Sequence, residues 1–429
     1  MLRWLHLIAE QEVTDVGRAK DQWLREMEQG YSTIRPDKAV CDDCFADEAI
    51  QQFVRDGADE TKCSYCGRES DGPIAVSINT VLELISESLQ TEYADPIEEN
   101  ARDDGEWVIE PRDTDDVFAG LGTITENMGV YDDILEAFRD SWWVAKPLWG
   151  PADGEELQYG WDDFVKAVKY DRRYVFLRPV KKDRYSMSEG ITPDKMLDEI
   201  GVVINQVGLV ATMKAGTHWF RARVHDPSKT YTSAADLGTA PQEAALASNR
   251  MSPAGIPMFY GAGDEKTAIA ETYTPKPGTP AAAVTVGEFE TARDAWVVDL
   301  TALPRVPSLF DQGRRHLRGS IRFLRGFVGD LVAPVTKDGQ EHIEYVPTQI
   351  VTEYLRHVFR TEAGERVKGV IYQSARLKGG TCCVLFVGNE QCGDAKPGWQ
   401  DEETDSLFME KRKKYALGMV GKPTRHDYP

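Results

Sequence analysis

The stretch Arg250-Met-Ser-Pro-Ala-Gly-Ile-Pro-Met-Phe-Tyr260-Gly-Ala-Gly-Asp-Glu-Lys-Thr-Ala-Ile-Ala-Glu271 decides how the chain is read. It spaces a fixed cation, a phenol and a carboxylate across a short strand and the start of a helix. Arginine has a planar fork that holds a phosphate bidentately. Tyrosine has an aromatic face with a hydrogen-bonding tip, and a lone carboxylate stabilises a sugar cation as a glycosidic bond breaks. The trio suits a nucleotide. Taken singly, each residue also reads as ordinary structure: Glu271 as a first-turn helix carboxylate, Tyr260 as a core aromatic on a strand, Arg250 as a surface cation. Order and spacing carry the functional reading, with Ser252-Pro-Ala-Gly255 forming the turn between the arginine and the tyrosine strand.

Working outward, Trp219-Phe-Arg-Ala-Arg223 lies upstream, and in an extended strand Arg221 and Arg223 face the same side, so either could be the anion binder. Downstream comes Gly369-Val-Ile-Tyr-Gln-Ser374-Ala-Arg, then Gly379-Gly380 and the apolar run Cys383-Val-Leu-Phe386. Together these segments resemble the RES domain family, named for its Arg, Glu and Ser, whose members include bacterial toxins that degrade NAD. The resemblance implies an α+β, ADP-ribosyltransferase-like domain over residues 205–395 with Arg250, Tyr260 and Glu271 as its catalytic set. It also implies that two arginines, with Ser374, clasp the pyrophosphate or ribose hydroxyls of NAD, Arg221 matching the arginine near the start of these domains. Tyr260 would then sit against the nicotinamide ribose, and Glu271 would steady the oxocarbenium-like state as nicotinamide departs.

The leaving group of NAD is already cationic, so no general acid is required, which fits a motif without a catalytic histidine. The implied activity is an NAD glycohydrolase or phosphorylase acting as a toxin or phage-defence effector. The alternative is an ADP-ribosyltransferase that modifies a macromolecule. Water, phosphate and a protein side chain all remain open as acceptor. Toxins of this family are commonly restrained by an antitoxin, so a regulatory protein is an expected partner alongside NAD, and a homo-oligomer is compatible with the reading.

A second signal lies near the start of the chain. Cys41-Asp-Asp-Cys44 and Cys63-Ser-Tyr-Cys66 form two CxxC pairs with Gly67 just after the second. Each pair can aim two thiolates at one tetrahedral ion, and four thiolates leave no open position, so the expected metal is a structural zinc held by Cys41, Cys44, Cys63 and Cys66. The N-terminal half resembles the HEPN/RES N-terminal domain that precedes some RES domains. HEPN ribonucleases need an Arg and a His on one helix, and no histidine occurs between His6 and His218, which argues against ribonuclease chemistry there.

The composition agrees with this picture. The 429 residues, 41% hydrophobic, suffice for more than one core, and a formal net charge of −21 repels phosphate backbones, which argues against general nucleic-acid binding. No apolar run reaches the length of a membrane span, and the sequence is expected to be cytoplasmic. Seven cysteines in a reducing compartment suit a metal site better than disulfides. Neither GxGxxG nor GxxxxGK[ST] is present, so no Rossmann or P-loop site is indicated. Trp142-Trp143, Cys382-Cys383 and Asp299 read as core or strand residues, and His218 and His225 as loop or hydrogen-bonded polar residues.

The expected organisation is an N-terminal helix and zinc ribbon over 1–75, a mostly helical region over 76–200, the RES domain over 205–395, and a basic, loosely packed tail over 396–429. Periodicity predicts helices over 5–29, 74–88, 131–144, 161–170 and 345–359 and another after Thr192-Pro-Asp. Strands are expected at Arg173-Tyr-Val-Phe-Leu, Trp219–Val224, Pro257–Tyr260, Ala281–Val286, Ala295–Leu300 and Gly369–Tyr372.

Overall fold

The computed structural model describes the chain except for residues 1–25, 27–28, 35, 100, 104–105, 108, 148–153, 178–190, 275–280, 334–338, 402, 405–411, 414 and 429. The expected helix over 5–29 therefore lies almost wholly outside the described residues. Contacts divide the chain into two compact units, Met1–Gly154 with Val306–Gly319, and Glu155–Arg305 with Ser320–Pro429. This division falls earlier than the 200/205 boundary read from the sequence, because Trp161, Phe164, Val168, Met196, Ile200 and Val203 pack into the second core.

In the first unit, β1 (Ala39–Cys41) pairs antiparallel with β2 (Ala75–Ser77). Helix α1 (Glu48–Gly57) starts at Asp47, whose carboxylate caps the amides of Ala49 and Ile50. Helix α2 (Ile78–Glu92) follows β2 directly and buries Val81, Leu82, Ile85 and Leu89 at helical spacing. Two shorter helices, α3 (Thr114–Leu121) and α4 (Met128–Ala137), complete a core around Phe118, Val130, Ile134 and Phe138. The helix expected to reach Val144 stops at Ala137, and Val144 instead pairs in a two-residue ladder with Ala94.

The second unit is built on a nine-stranded sheet. Its strands are β3 (Val210–Met213), β4 (His218–His225), β5 (Phe259–Ala262), β6 (Ala282–Thr291), β7 (Ala295–Asp299), β8 (Gly369–Gln373), β9 (Thr381–Leu385), β10 (Cys392–Asp394) and β11 (Leu417–Tyr428). They lie in the order β10-β11-β6-β4-β5-β9-β8-β7-β3, antiparallel except for the β7–β8 and β10–β11 pairs. Its helices include α5 (Glu155–Lys166), α6 (Met196–Gln206), α7 (Ala234–Leu237), α8 (Glu265–Thr272), α9 (Arg318–Val332) and α10 (Val346–His357).

Alternation along the strands separates two cores. Val298, Val370 and Val384 face a helical layer formed by Trp161, Phe164, Ile200, Val203, Phe323, Phe327, Val351 and Leu355. On the opposite face, Trp219, Phe259, Phe289, Val297 and Leu385 bury with Leu237, Leu417 and Met419. The mixture of helices and antiparallel sheet matches the α+β expectation.

Two further sequence expectations are corrected, and one helix is added. Residues 173–177 form bends and turns rather than a strand, and Tyr174, Val175 and Leu177 are exposed. The 15-residue helix α9 was not anticipated. The supposed C-terminal tail contains β11, which pairs with β6 from Leu417↔Thr291 to Tyr428↔Ala282. Lys422, Arg425 and Asp427 point outward along it, so its polar alternation belongs to a half-solvated strand and not to a free terminus.

Candidate functional site

The candidate cleft lies on the face of the sheet that carries Ala222, Ala262 and Cys382. On one side α8 seats Ala268 over these residues, and on the other stand the helices packed on Val370 and Val384. Between them is a cleft of about 450 Å³ lined by Arg221, Asn249, Ser252, Tyr260, Glu271 and Tyr372 over a floor of Ala222, Gly261 and Ala262. Small floor residues let a ligand approach the sheet closely. Glu271 is the one carboxylate among the described lining residues, and no histidine lines the cleft.

Glu271 is carried on α8, near its C-terminal end and not in its first turn. The helix starts at Asp264, whose carboxylate accepts from the Thr267 amide at 2.8 Å and from its hydroxyl at 2.6 Å. Ser374 follows β8, and its hydroxyl accepts from the amides of Leu377 at 3.0 Å and Arg376 at 3.2 Å. With those acceptor positions filled, its proton goes to Glu271 Oε1 at 2.5 Å. The β8–β9 turn thereby fixes the orientation of the carboxylate.

Tyr260 is held on β5, with its hydroxyl 2.9 Å from Ser252 Oγ and accepting from the Met251 amide at 3.3 Å. Burial pushes the phenol up to about 12, against the pull of these hydrogen bonds and of the Arg221 and Arg250 charges. The 249–252 turn is itself anchored by α10: Gln349 Nε2 donates to the Asn249 carbonyl at 2.8 Å, and the Thr348 hydroxyl donates to the Arg250 carbonyl.

The two strand arginines separate. Strands β4 and β5 meet through the single pair Phe220↔Ala262. Next to it, Arg221 Nη1 donates to the Tyr260 carbonyl at 2.8 Å, where a longer ladder would supply a backbone amide. The side chain is partly buried, and its Nε is enclosed without a hydrogen-bond partner. Burial, and then the neighbouring Arg223 charge, lower its pKa to about 10. Arg223 turns away to the Gly238 carbonyl at 2.9 Å and does not line the cleft.

Arg250 is placed differently from expectation. Its Nη1 donates to the Leu331 carbonyl at 3.3 Å, at the C-terminal end of α9 where the helix dipole favours a cation, and it is absent from the lining. The structure thus brings together Arg221, Tyr260, Glu271 and, through Glu271, Ser374, and leaves Arg223 and Arg250 outside the cleft wall. Ser252, Asn249 and Tyr372 join the site without having been singled out. Tyr372 stands two residues before Ser374 on the same strand face, so strand alternation could have found it. His218 and His225 close the two ends of β4, bonded to Glu288 at 2.8 Å and to Thr285 at 2.8 Å.

In the first unit, Cys41, Cys44, Cys63 and Cys66 place their sulfurs within 4.8 Å of one another. Neighbouring Sγ atoms lie 3.8, 3.5 and 3.7 Å apart, and tetrahedral ligation at ~2.3 Å requires edges of about 3.8 Å. The four sulfurs could therefore hold one metal ion. Gly67 adopts φ +74° after the second pair, the left-handed turn that glycine permits. The Cys41 amide donates to Cys63 Sγ at 3.4 Å, and Asn127 Nδ2 donates to Cys44 Sγ at 3.6 Å, donors that would steady thiolate charge.

Comparison with known families agrees with this geometry. The RES domain model matches residues 218–405, and that domain belongs to an NAD-related enzyme family. The chain is a RES-domain protein that also carries a HEPN/RES N-terminal domain 1 over residues 56–182. No curated protein matches the chain. Among the described residues, no helix is long and apolar enough to cross a membrane.

Proposed function

We propose that the second unit cleaves the bond between nicotinamide and ribose in NAD, and that the protein acts as a toxin or defence effector. The observation that supports this reading is Glu271, a single carboxylate oriented by Ser374 in a cleft that also offers Arg221 and Tyr260. Glycosidases that expel an alkoxide need a second carboxyl group to protonate it, whereas nicotinamide leaves as a neutral molecule with the bonding electron pair. Glu271 supports the positive charge that develops on the ribosyl carbon. Arg221 meets the pyrophosphate, and Tyr260 packs against the nicotinamide ribose. Arg250 contributes its charge from behind Tyr260. Attack by water gives ADP-ribose and a proton, and attack by phosphate gives the 1-phosphate of ADP-ribose.

The four cysteines are proposed to hold a structural zinc, since soft thiolates at tetrahedral spacing suit that ion and leave no position for substrate.

The test is NAD loss and product identity by chromatography for the full chain and for Glu271→Gln, with and without phosphate. Nicotinamide release by the native protein alone supports the reading, and the second product names the acceptor. ADP-ribose bound covalently to protein would move the assignment to a transferase, and equal NAD loss in both proteins would overturn it.

A further inference from the structure

Helix α8 carries Glu271 but is poorly equipped to hold itself in place. It has eight residues, Glu-Lys-Thr-Ala-Ile-Ala-Glu-Thr, and buries only Thr267 and Ala268. Isolated helices of this length are marginal in water, so the position of α8 must come from tertiary contacts. Beneath it the sheet offers the small side chains Ala222, Ala262 and Cys382 beside Val284 and Val286, a modest apolar seat for an eight-residue helix.

Grip comes from β11, the strand that lies beyond the 218–405 family match and that the sequence reads as a tail. Register places His426 opposite Val284 and Tyr428 opposite Ala282 on β6. Two apart on a strand, these residues share one face, and both are partly buried while Arg425 and Asp427 between and beside them are exposed or point outward. His426 Nε2 lies 2.6 Å from Glu265 Oε1, at the first residue of α8. The ring of Tyr428 lies 4.8 Å from that of Tyr273, the residue that caps the other end of α8. Tyr428 also belongs to the small core that contains Ala268 and Ile269 of the helix. One strand therefore holds both ends of the helix, and Ser374 holds the carboxylate near its C-terminal end.

We propose that β11 is a positioning element of the cleft: His426 and Tyr428 clamp α8 so that Glu271 meets the ribosyl carbon. The inference rests on the reading of Glu271 given above. Neither residue touches substrate. Both act through the helix, so their loss lowers turnover more than it weakens NAD binding.

The experiment uses the full chain with His426→Ala, Tyr428→Leu and the double variant, each alone and combined with Glu271→Gln. Two quantities are measured, NAD turnover and hydrogen exchange of the amides of residues 265–273 relative to those of α10. The double variant is expected to lower kcat by about tenfold with KM changed by less than about threefold. Exchange should rise in 265–273 and stay unchanged in α10. In the Glu271→Gln background the clamp substitutions should have no further effect on kcat, because the group they position is gone. His426→Gln, which keeps a donor toward Glu265, should recover part of the loss. Unchanged exchange in 265–273 overturns the clamp whatever the activity of the protein. Faster exchange with native kcat, while Glu271→Gln is inactive, overturns the positioning role and leaves the catalytic reading standing. An active Glu271→Gln overturns the catalytic reading instead, and the exchange data then judge the clamp separately.

Discussion

The cysteine cluster and the cleft bring their reactive atoms together in opposite ways. Two short turns supply all four sulfurs, and the turns are made neighbours by backbone bonds such as Ser64 N to the Ala39 carbonyl at 2.7 Å. The cleft draws Arg221 from β4, Ser252 from a turn, Tyr260 from β5, Glu271 from α8 and Tyr372 from β8. Local assembly makes a compact four-sulfur site that could hold one metal ion. Distributed assembly leaves about 450 Å³ open to a ligand and lets each wall be positioned by a different element. The first is suited to stability and the second to chemistry.

That contrast is open to direct test. The largest effect should come from the cluster. Structural zinc in small domains contributes an apparent ~10–16 kcal/mol, so Cys44→Ser should reduce bound metal from one ion per chain to near zero and remove the melting transition of the first unit. Metal analysis and calorimetry check this, and a metal-free protein with native melting would end the structural assignment.

Glu271→Gln should do the reverse, lowering kcat by about a thousandfold, or roughly 4 kcal/mol in the barrier, while melting stays within a few degrees of native. The amide is close in shape to the carboxylate and can still accept from Ser374. A loss of both fold and activity would mean that the carboxylate is structural.

A smaller effect separates the arginines. Arg221→Lys removes the fork in the cleft and should raise KM for NAD by about tenfold. Arg250→Lys acts at the Leu331 carbonyl and should change KM by less than about threefold, with any cost appearing as stability. The opposite ranking in steady-state kinetics would show that Arg250 leaves that carbonyl to meet substrate.

Legibility in the sequence followed the same division. The CxxC spacing carried the four-cysteine cluster whole, because every one of its sulfurs sits in a local turn. In the cleft, the order of Arg250, Tyr260, Glu271 and Ser374 carried the family and the strand and helix that hold Tyr260 and Glu271. It did not carry side-chain direction: Arg250 and Tyr260 lie in one stretch, yet they part because α9 ends where its carbonyl can take the guanidinium. Alternation leaves Arg221 and Arg223 equivalent for the same reason, since it assigns a face and not a partner. Strand β11 was hidden by its charges, because Lys422, Arg425 and Asp427 lie on its solvent side and the pairing partner, β6, is far away in sequence.

The smallest expected effect concerns pH and Tyr260. Burial disfavours phenolate and pushes the pKa of this phenol up to about 12 in the folded chain, whereas an unfolded chain releases the proton near the ordinary tyrosine value of about 10. The raised value means that stability linked to this group is fully present below pH 10 and is lost as pH climbs from 10 toward about 12, where only the unfolded chain gains by ionising. Tyr260→Phe removes the linkage along with the hydrogen bonds to Ser252 and Met251, which together are worth about 1–2 kcal/mol. Native protein should therefore exceed Tyr260→Phe in stability at pH 8, and the gap should close by about 1 kcal/mol per pH unit above 10. The other tyrosines are common to both proteins and cancel in the difference. Denaturant titrations of the two at pH 8, 9.5 and 11 test the sign: a gap that widens with pH would mean that Tyr260 ionises inside the fold and stands as a phenolate beside Arg221. In kinetics the same argument keeps Tyr260 neutral from pH 6 to 9, so Tyr260→Phe should leave the shape of the kcat profile unchanged over that range while lowering its height.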